Sequence, residues 1–196
     1  MRALSHIPEL KQILVHSGQH YNDTMSKVFF DEWKIRKPEI NLNVGSGTHT
    51  YQTATTMTKL ESVLDDIKPT MVMLYGDVNA TLAGALVCAK RQIPISHVES
   101  GLRSSDLSMP EEINRIVTDH VSELLFTPSE DANVNLHKEN IAQEKVHFVG
   151  NIMIDTLVNS LPASDRRWEE GQSNKFPERF GLITLHRASN VDDPSI

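Results

Sequence analysis

The chain of 196 residues has a single cysteine, Cys88, so no disulfide can close within it. That thiol lies in the apolar run 82–89 and reads as a buried structural residue rather than a nucleophile. No stretch approaches the roughly 18 consecutive apolar residues of a membrane span. The first residues, Met1 to His6, lack the apolar core of a secretory leader. Positive charge is scarce: 19 Lys and Arg stand against 26 Asp and Glu, for a net charge of −7. General nucleic-acid binding, which needs basic patches to neutralise phosphate, is therefore not expected. No paired-cysteine zinc spacing accompanies the nine histidines, and metal catalysis is not expected. The turn Gly45-Ser46-Gly47-Thr48 lacks the closing Gly-Lys of a phosphate-binding loop. What is left is an acidic globular chain, 39% hydrophobic and 23% charged, expected in a reducing cytoplasm.

Short apolar runs alternate with longer amphipathic ones, the pattern of βα units around a parallel sheet. Strands are predicted at residues 13–16, 40–44, 70–75, 94–98, 124–127, 146–149 and 180–185, and helices at 21–34, 50–67, 79–90, from Pro110 onward, 130–140 and 151–160. The run 70–75 is apolar on both faces, which predicts a central strand. Met57, Leu60 and Leu64 share one stripe of the long helix, and Pro69 stands just past its end. Pro110 suits a first helical turn, with Glu111 and Glu112 favourable near its positive end. The fold class is thus α/β: a Rossmann-like parallel sheet with helices on both faces over residues 1–161, a polar linker at 162–179, and the start of a further domain at 180–196. Both ends are expected to be cut, since no strand precedes the first helix-like residues and the last strand has no successor.

The chemistry concentrates in three acid-bearing segments: Gly76-Asp77, His97-Val98-Glu99, and Pro110-Glu111-Glu112. Each follows a predicted strand or opens a predicted helix. In a parallel α/β sheet those places share the carboxyl-end edge, where ligands bind. Three acids converging there suggest acid/base work, because neighbouring carboxylates push each other's pKa values apart. Plainer roles compete. Asp77 suits a helix N-cap. Glu111 and Glu112 can pair locally with Arg115 one turn on, for only about 0.2–1 kcal/mol. Glu99 is harder to dismiss, since an acid beside a buried strand is costly unless paired or functional. His97 alternates with Glu99, so the two are expected on one face, with His97 the more ordinary structural residue. His186-Arg187 ends the last predicted strand, where a two-domain enzyme has its cleft. Ser17-Gly18-Gln19-His20 follows the first strand, as a turn or as a ligand contact.

Ser17-Gly18-Gln19-His20-Tyr21, Gly76-Asp77, His97-Val98-Glu99-Ser100-Gly101-Leu102-Arg103, Pro110-Glu111-Glu112-Ile113-Asn114-Arg115, Gly150-Asn151 and Thr184-Leu185-His186-Arg187 occur in an order and spacing that resemble the non-hydrolysing UDP-N-acetylglucosamine 2-epimerases. The set is specific, although no single block is. The resemblance implies the N-terminal half of a two-domain, glycosyltransferase-B-like architecture. It implies interconversion of UDP-N-acetylglucosamine and UDP-N-acetylmannosamine through loss and re-addition of UDP, with no cofactor and no metal. Asp77, Glu99 and Glu111 match the family's essential acids, and His186 its histidine near the leaving UDP. Arg187, Arg115 and Arg103 are substrate-binding candidates. Gln19 and His20 match a loop that holds a second, regulatory UDP-N-acetylglucosamine in many bacterial members. The resemblance also implies a cytoplasmic homodimer serving cell-surface polysaccharide biosynthesis, with no nucleic-acid or membrane partner. The family's opening strand and Gly-Thr-Arg-Pro-Glu loop are absent, Ser189 stands where many members have Glu, and the loop 104–109 is compact. The chain as it stands is therefore expected to turn over little or no substrate. An epimerase of a modified UDP-hexosamine, a hydrolysing epimerase and a non-catalytic nucleotide-sugar-binding module are the alternatives.

Overall fold

The computed structural model describes residue 1 and residues 3–18, 35–172, 175–177 and 179–184. The helix expected at 21–34 lies outside these residues, as do Gln19, His20, His186 and Arg187. The chain forms two compact units, residues 1–151 and residues 152–196.

Six short strands appear among the described residues of the first unit. β1 (Val15–His16) pairs with β2 (Ile40–Asn41) in a two-stranded sheet. A four-stranded sheet runs in the order β3 (Val72–Tyr75), β4 (Ile95–Val98), β5 (Leu124–Thr127), β6 (Val146–Phe148). Every pairing is parallel, with Val72 opposite Ile95, Ser96 opposite Leu124 and Leu125 opposite Val146. Parallel neighbours cannot be joined by a hairpin, so helices carry the chain back between them. These are α1 (His49–Ile67), α2 (Asn79–Lys90), α3 (Pro110–Val121) and α4 (Glu130–Lys138). The architecture is the α/β arrangement of parallel sheets with helices on both faces.

Local chemistry sets the helix ends. Thr48 caps α1 by accepting the Tyr51 amide at 3.2 Å. Lys68 closes the helix in the left-handed region and returns its amide to the Leu64 carbonyl. Leu60 and Leu64 are buried on the expected stripe, and Met57 packs against them from a half-buried position. Ala83 and Ala85 of α2 are fully buried, and their small side chains let that helix settle closely on the sheet. One apolar cluster joins Leu42, Val44, Leu60, Leu64, Ala85, Val87, Cys88 and Ile95, with Val15, Val72 and Leu74 packed on it. Both sheets therefore cover the same core.

Three expectations need correction. Among the described residues β3 is an edge strand of its sheet, not a central one. β4 is the strand buried at every position. An apolar run says nothing about which neighbours supply hydrogen bonds, and β3 is only half-buried, with Tyr75 exposed at its end. In the second unit, α5 (Ile152–Arg167) continues through Pro162 instead of stopping before it. Proline removes one helical hydrogen bond, while the flanking Leu161, Ala163 and Arg166 favour helix. Residues 180–184 form no strand. Leu182 and Ile183 are largely exposed, and a strand exists only where another edge pairs with it. The rings of Trp168, Phe176 and Phe180 stack together with centroids 5.1–6.0 Å apart.

Candidate active site

The carboxyl-end edge of the four-stranded sheet brings two of the three acid segments around one arginine. Asp77 follows β3, but it does not cap α2. The N-cap is Val78, and no side chain caps that helix. The Asp77 carboxylate instead reaches Nη2 of Arg115 at 2.6 Å. The same nitrogen stands 4.0 Å from Oε1 of Glu99. Arg115 thus bridges two segments distant in sequence rather than pairing with Glu111 or Glu112 on its own helix. Its side chain is 11% exposed, against 26% for Asp77 and 32% for Glu99. The cation forms the wall and the two acids face the open side. Nε of Arg115 is buried and has no hydrogen-bond partner among the described residues.

Glu99 reaches this position through an uncommon backbone. β4 ends at Val98, and Glu99 adopts φ +72°. The amides of Glu99 and Ser100 then both donate to the Phe126 carbonyl of β5, at 3.0 and 3.2 Å. A side chain in the left-handed region costs about 1–2 kcal/mol, and such strain collects at functional sites. Strand alternation stops before Glu99, so the expectation that it shares a face with His97 is corrected. His97 is wholly buried, whereas Glu99 stands at the edge, its Oε2 3.6 Å from where a Cβ on Gly76 would lie.

Below the acids lies a buried polar network. His97 contacts Oδ1 of Asp119 through Nδ1 at 2.7 Å and the Gly76 carbonyl through Nε2 at 2.8 Å. Oδ2 of Asp119 accepts the Gly101 amide at 3.0 Å and lies 2.8 Å from Nη1 of Arg103. Arg103 also donates twice to Glu139, at 2.7 Å each. Burial works against the Arg103 charge, but the hydrogen bonds and attraction of Glu139 and Asp119 outweigh it and hold its pKa above the ordinary value. Both carboxylates engage this guanidinium, and its side chain is only 7% exposed.

The two glutamates opening α3 behave differently. Glu112 is buried and accepts the Ser104 and Ser105 amides at 2.8 and 3.0 Å, tying down the loop that precedes the helix. Burial pushes its carboxyl upward, yet those donors and the Arg103 charge prevail and hold it below the usual carboxylate range. Glu111 is exposed, one turn before Arg115, with no hydrogen bond or ion pair among the described residues. The sequence reading passed over the residues that steady this edge. Asn114 donates to the Asp77 carbonyl at 2.8 Å. Asn79 donates to Gln52 at 2.7 Å, and its Oδ1 lies 3.2 Å from Nδ1 of His49. The available signal was Glu112 and Asp119, two acids seven residues apart, which therefore lie on one face of an amphipathic helix. Among the described residues no group of His, Cys, Asp and Glu could hold a metal ion, and no helix is long and apolar enough to cross a membrane.

Fold and site together define a Rossmann-like α/β protein whose carboxyl edge presents acids clamped by an arginine. The chain belongs to the UDP-N-acetylglucosamine 2-epimerase family, whose model matches residues 2–196. It is 45% identical over 186 residues to a UDP-N-acetylglucosamine 2-epimerase of Methanococcus maripaludis, covering 93% of this chain and 51% of that protein. It is 43% identical over 187 residues to the UDP-2,3-diacetamido-2,3-dideoxy-D-glucuronate 2-epimerase of Pseudomonas aeruginosa, covering 94% and 52%. The crystal structure of the Methanocaldococcus jannaschii UDP-GlcNAc 2-epimerase in complex with UDP-GlcNAc and UDP superposes with a TM-score of 0.88 at 43% identity, covering 98% of this chain and 53% of that one. The chain spans about half the length of the curated relatives it matches.

Proposed function

We propose that this chain supplies the acid-bearing half of a nucleotide-sugar 2-epimerase that interconverts UDP-N-acetylglucosamine and UDP-N-acetylmannosamine. The observation that carries the reading is the Asp77–Arg115–Glu99 constellation, in which an acid suited to capping a helix is held instead at the ligand edge beside a second acid. In the proposed reaction a base removes the C2 proton as UDP leaves C1, forming 2-acetamidoglucal. UDP then returns to C1 while an acid protonates C2 from the opposite face. Asp77, Glu99 and Glu111 share these proton transfers. Arg115 keeps the two carboxylates together by offsetting their repulsion. His186, with Arg187 beside it, acts at the departing diphosphate. Arg103 supports the fold beneath the site, because its guanidinium is engaged by Asp119 and Glu139. No cofactor enters this scheme. Gln19 and His20 bind a second, regulatory UDP-N-acetylglucosamine, and the intact enzyme works as a cytoplasmic homodimer in cell-surface polysaccharide synthesis.

Proton NMR of UDP-N-acetylglucosamine in D2O, with a two-domain protein carrying this half, tests the reading. Deuterium at C2 together with UDP-N-acetylmannosamine is expected. Glu99→Gln should abolish the exchange and leave the fold in place, and near-normal exchange would remove Glu99 from the mechanism. The Pseudomonas relative's name brings a second substrate into the same assay, the diacetamido glucuronate. Exchange with that sugar alone would move the specificity without altering the chemistry.

A further inference from the structure

His97 lies where water cannot reach, 0% exposed, and both of its ring nitrogens face oxygen atoms. The Gly76 carbonyl can only accept a hydrogen bond. Asp119 also serves as an acceptor, since its other oxygen takes the Gly101 amide and faces Arg103. A ring with one N–H would set a nitrogen lone pair against an oxygen lone pair at one of these contacts, with no solvent to relieve it. Glu112, which feels the Arg103 charge, and His120, 3.8 Å from Glu139 at its exposed rim, also face the network.

The placement of these contacts matters more than their number. Gly76 immediately precedes Asp77. Gly101 lies two residues after Glu99. Asp119 follows Arg115 by one helical turn. The network therefore joins, from beneath, the same three segments that Arg115 joins at the surface. We propose that His97 is a positioning residue, an imidazolium that latches the Gly76-Asp77 turn to the Glu99–Gly101 turn through Asp119. The value of the latch to catalysis rests on Asp77 and Glu99 being the reacting acids, whereas the latch itself is a property of the folded chain.

The test is a long-range 1H–15N spectrum of the histidine side chains in the 15N-labelled 196-residue protein at neutral pH. Both His97 nitrogens should carry protons. One bare nitrogen would overturn the proposal, and this measurement needs no variant to fold. Two substitutions then separate the bonds. Asparagine places a donor where Nδ1 sits, and glutamine places one where Nε2 sits. His97→Asn should therefore displace the Asp77 amide resonance, which senses the bond accepted by the preceding carbonyl. His97→Gln should leave that resonance near its wild-type position. Equal displacement in both variants is the signature of simple packing loss and would refute the latch. Two protons on His97 without C2 exchange in the two-domain protein would overturn the epimerase reading and uphold the latch.

Discussion

Replacing Gly101 with alanine asks how tightly the Glu99 turn is seated against its neighbours. Gly101 has φ +78°, and a Cβ there would stand 2.6 Å from the Ala132 carbonyl oxygen and 3.0 Å from both the Ala132 carbonyl carbon and its Cβ. The obstacle is helix backbone and a fully buried methyl group, so no flexible side chain can swing aside. The left-handed backbone costs a non-glycine residue about 1–2 kcal/mol, and overpacking adds about 1–3 kcal/mol. The expected loss is on the order of 2–5 kcal/mol, a large share of the roughly 5–15 kcal/mol that holds an ordinary domain. Gly150→Ala is the control, since Gly150 has φ +82° but nothing within 4 Å of the added Cβ. It should show the backbone cost alone. Urea unfolding followed by circular dichroism, at unchanged m, yields both losses. Gly101→Ala should cost at least about 1 kcal/mol more than Gly150→Ala. Equal losses would mean that α4 gives way freely, and the claim that this contact fixes the Glu99 turn would fail.

Other expectations follow from the same geometry. Burial pushes the Cys88 thiol up to about 11, so a disulfide reagent at pH 8 should label it only after urea is added. Rapid labelling of the native protein would contradict its burial. Glu112 is held below its ordinary range, so its contribution is fully present above the unfolded carboxyl value and is lost as pH falls through the folded one. The stability gap between wild type and Glu112→Gln should accordingly close below about pH 4, and a gap independent of pH would refute the role given to its carboxylate. Arg115→Met removes the cation between Asp77 and Glu99. C2 exchange in the two-domain protein should fall by a factor on the order of 100, and unchanged exchange would dissociate the arginine from the chemistry.

The legible part of this protein was its alternation. Short apolar runs separated by amphipathic ones located β3, β4, β5 and β6, and the long stripe through Leu60 and Leu64 located α1, because burial imposes a period on each element. The acid segments were legible for a related reason, since strand ends in a parallel sheet meet at one edge. Which acid does what was not. Asp77 was as well suited to a cap, and only the Val78 cap and the 2.6 Å contact to Arg115 show that it does not serve as one. Glu111 and Glu112 are adjacent and chemically alike, yet one is exposed and the other buried under two loop amides. Neighbouring residues on a helix point about 100° apart, and the choice of which faces inward depends on what packs against it.

The sequence by itself determined the α/β class, the order of the elements from β3 to β6, the clustering of acids at strand ends and the buried thiol, because each follows from local pattern or composition. Tertiary structure alone decided that β3 lies at a sheet edge among the described residues, that Arg115 serves two distant acids, and that His97, Asp119, Arg103 and Glu139 form one buried network. These are relations between residues 16 or more positions apart. No periodicity encodes them, since they exist only after the core has brought β3, β4 and α3 within hydrogen-bonding reach.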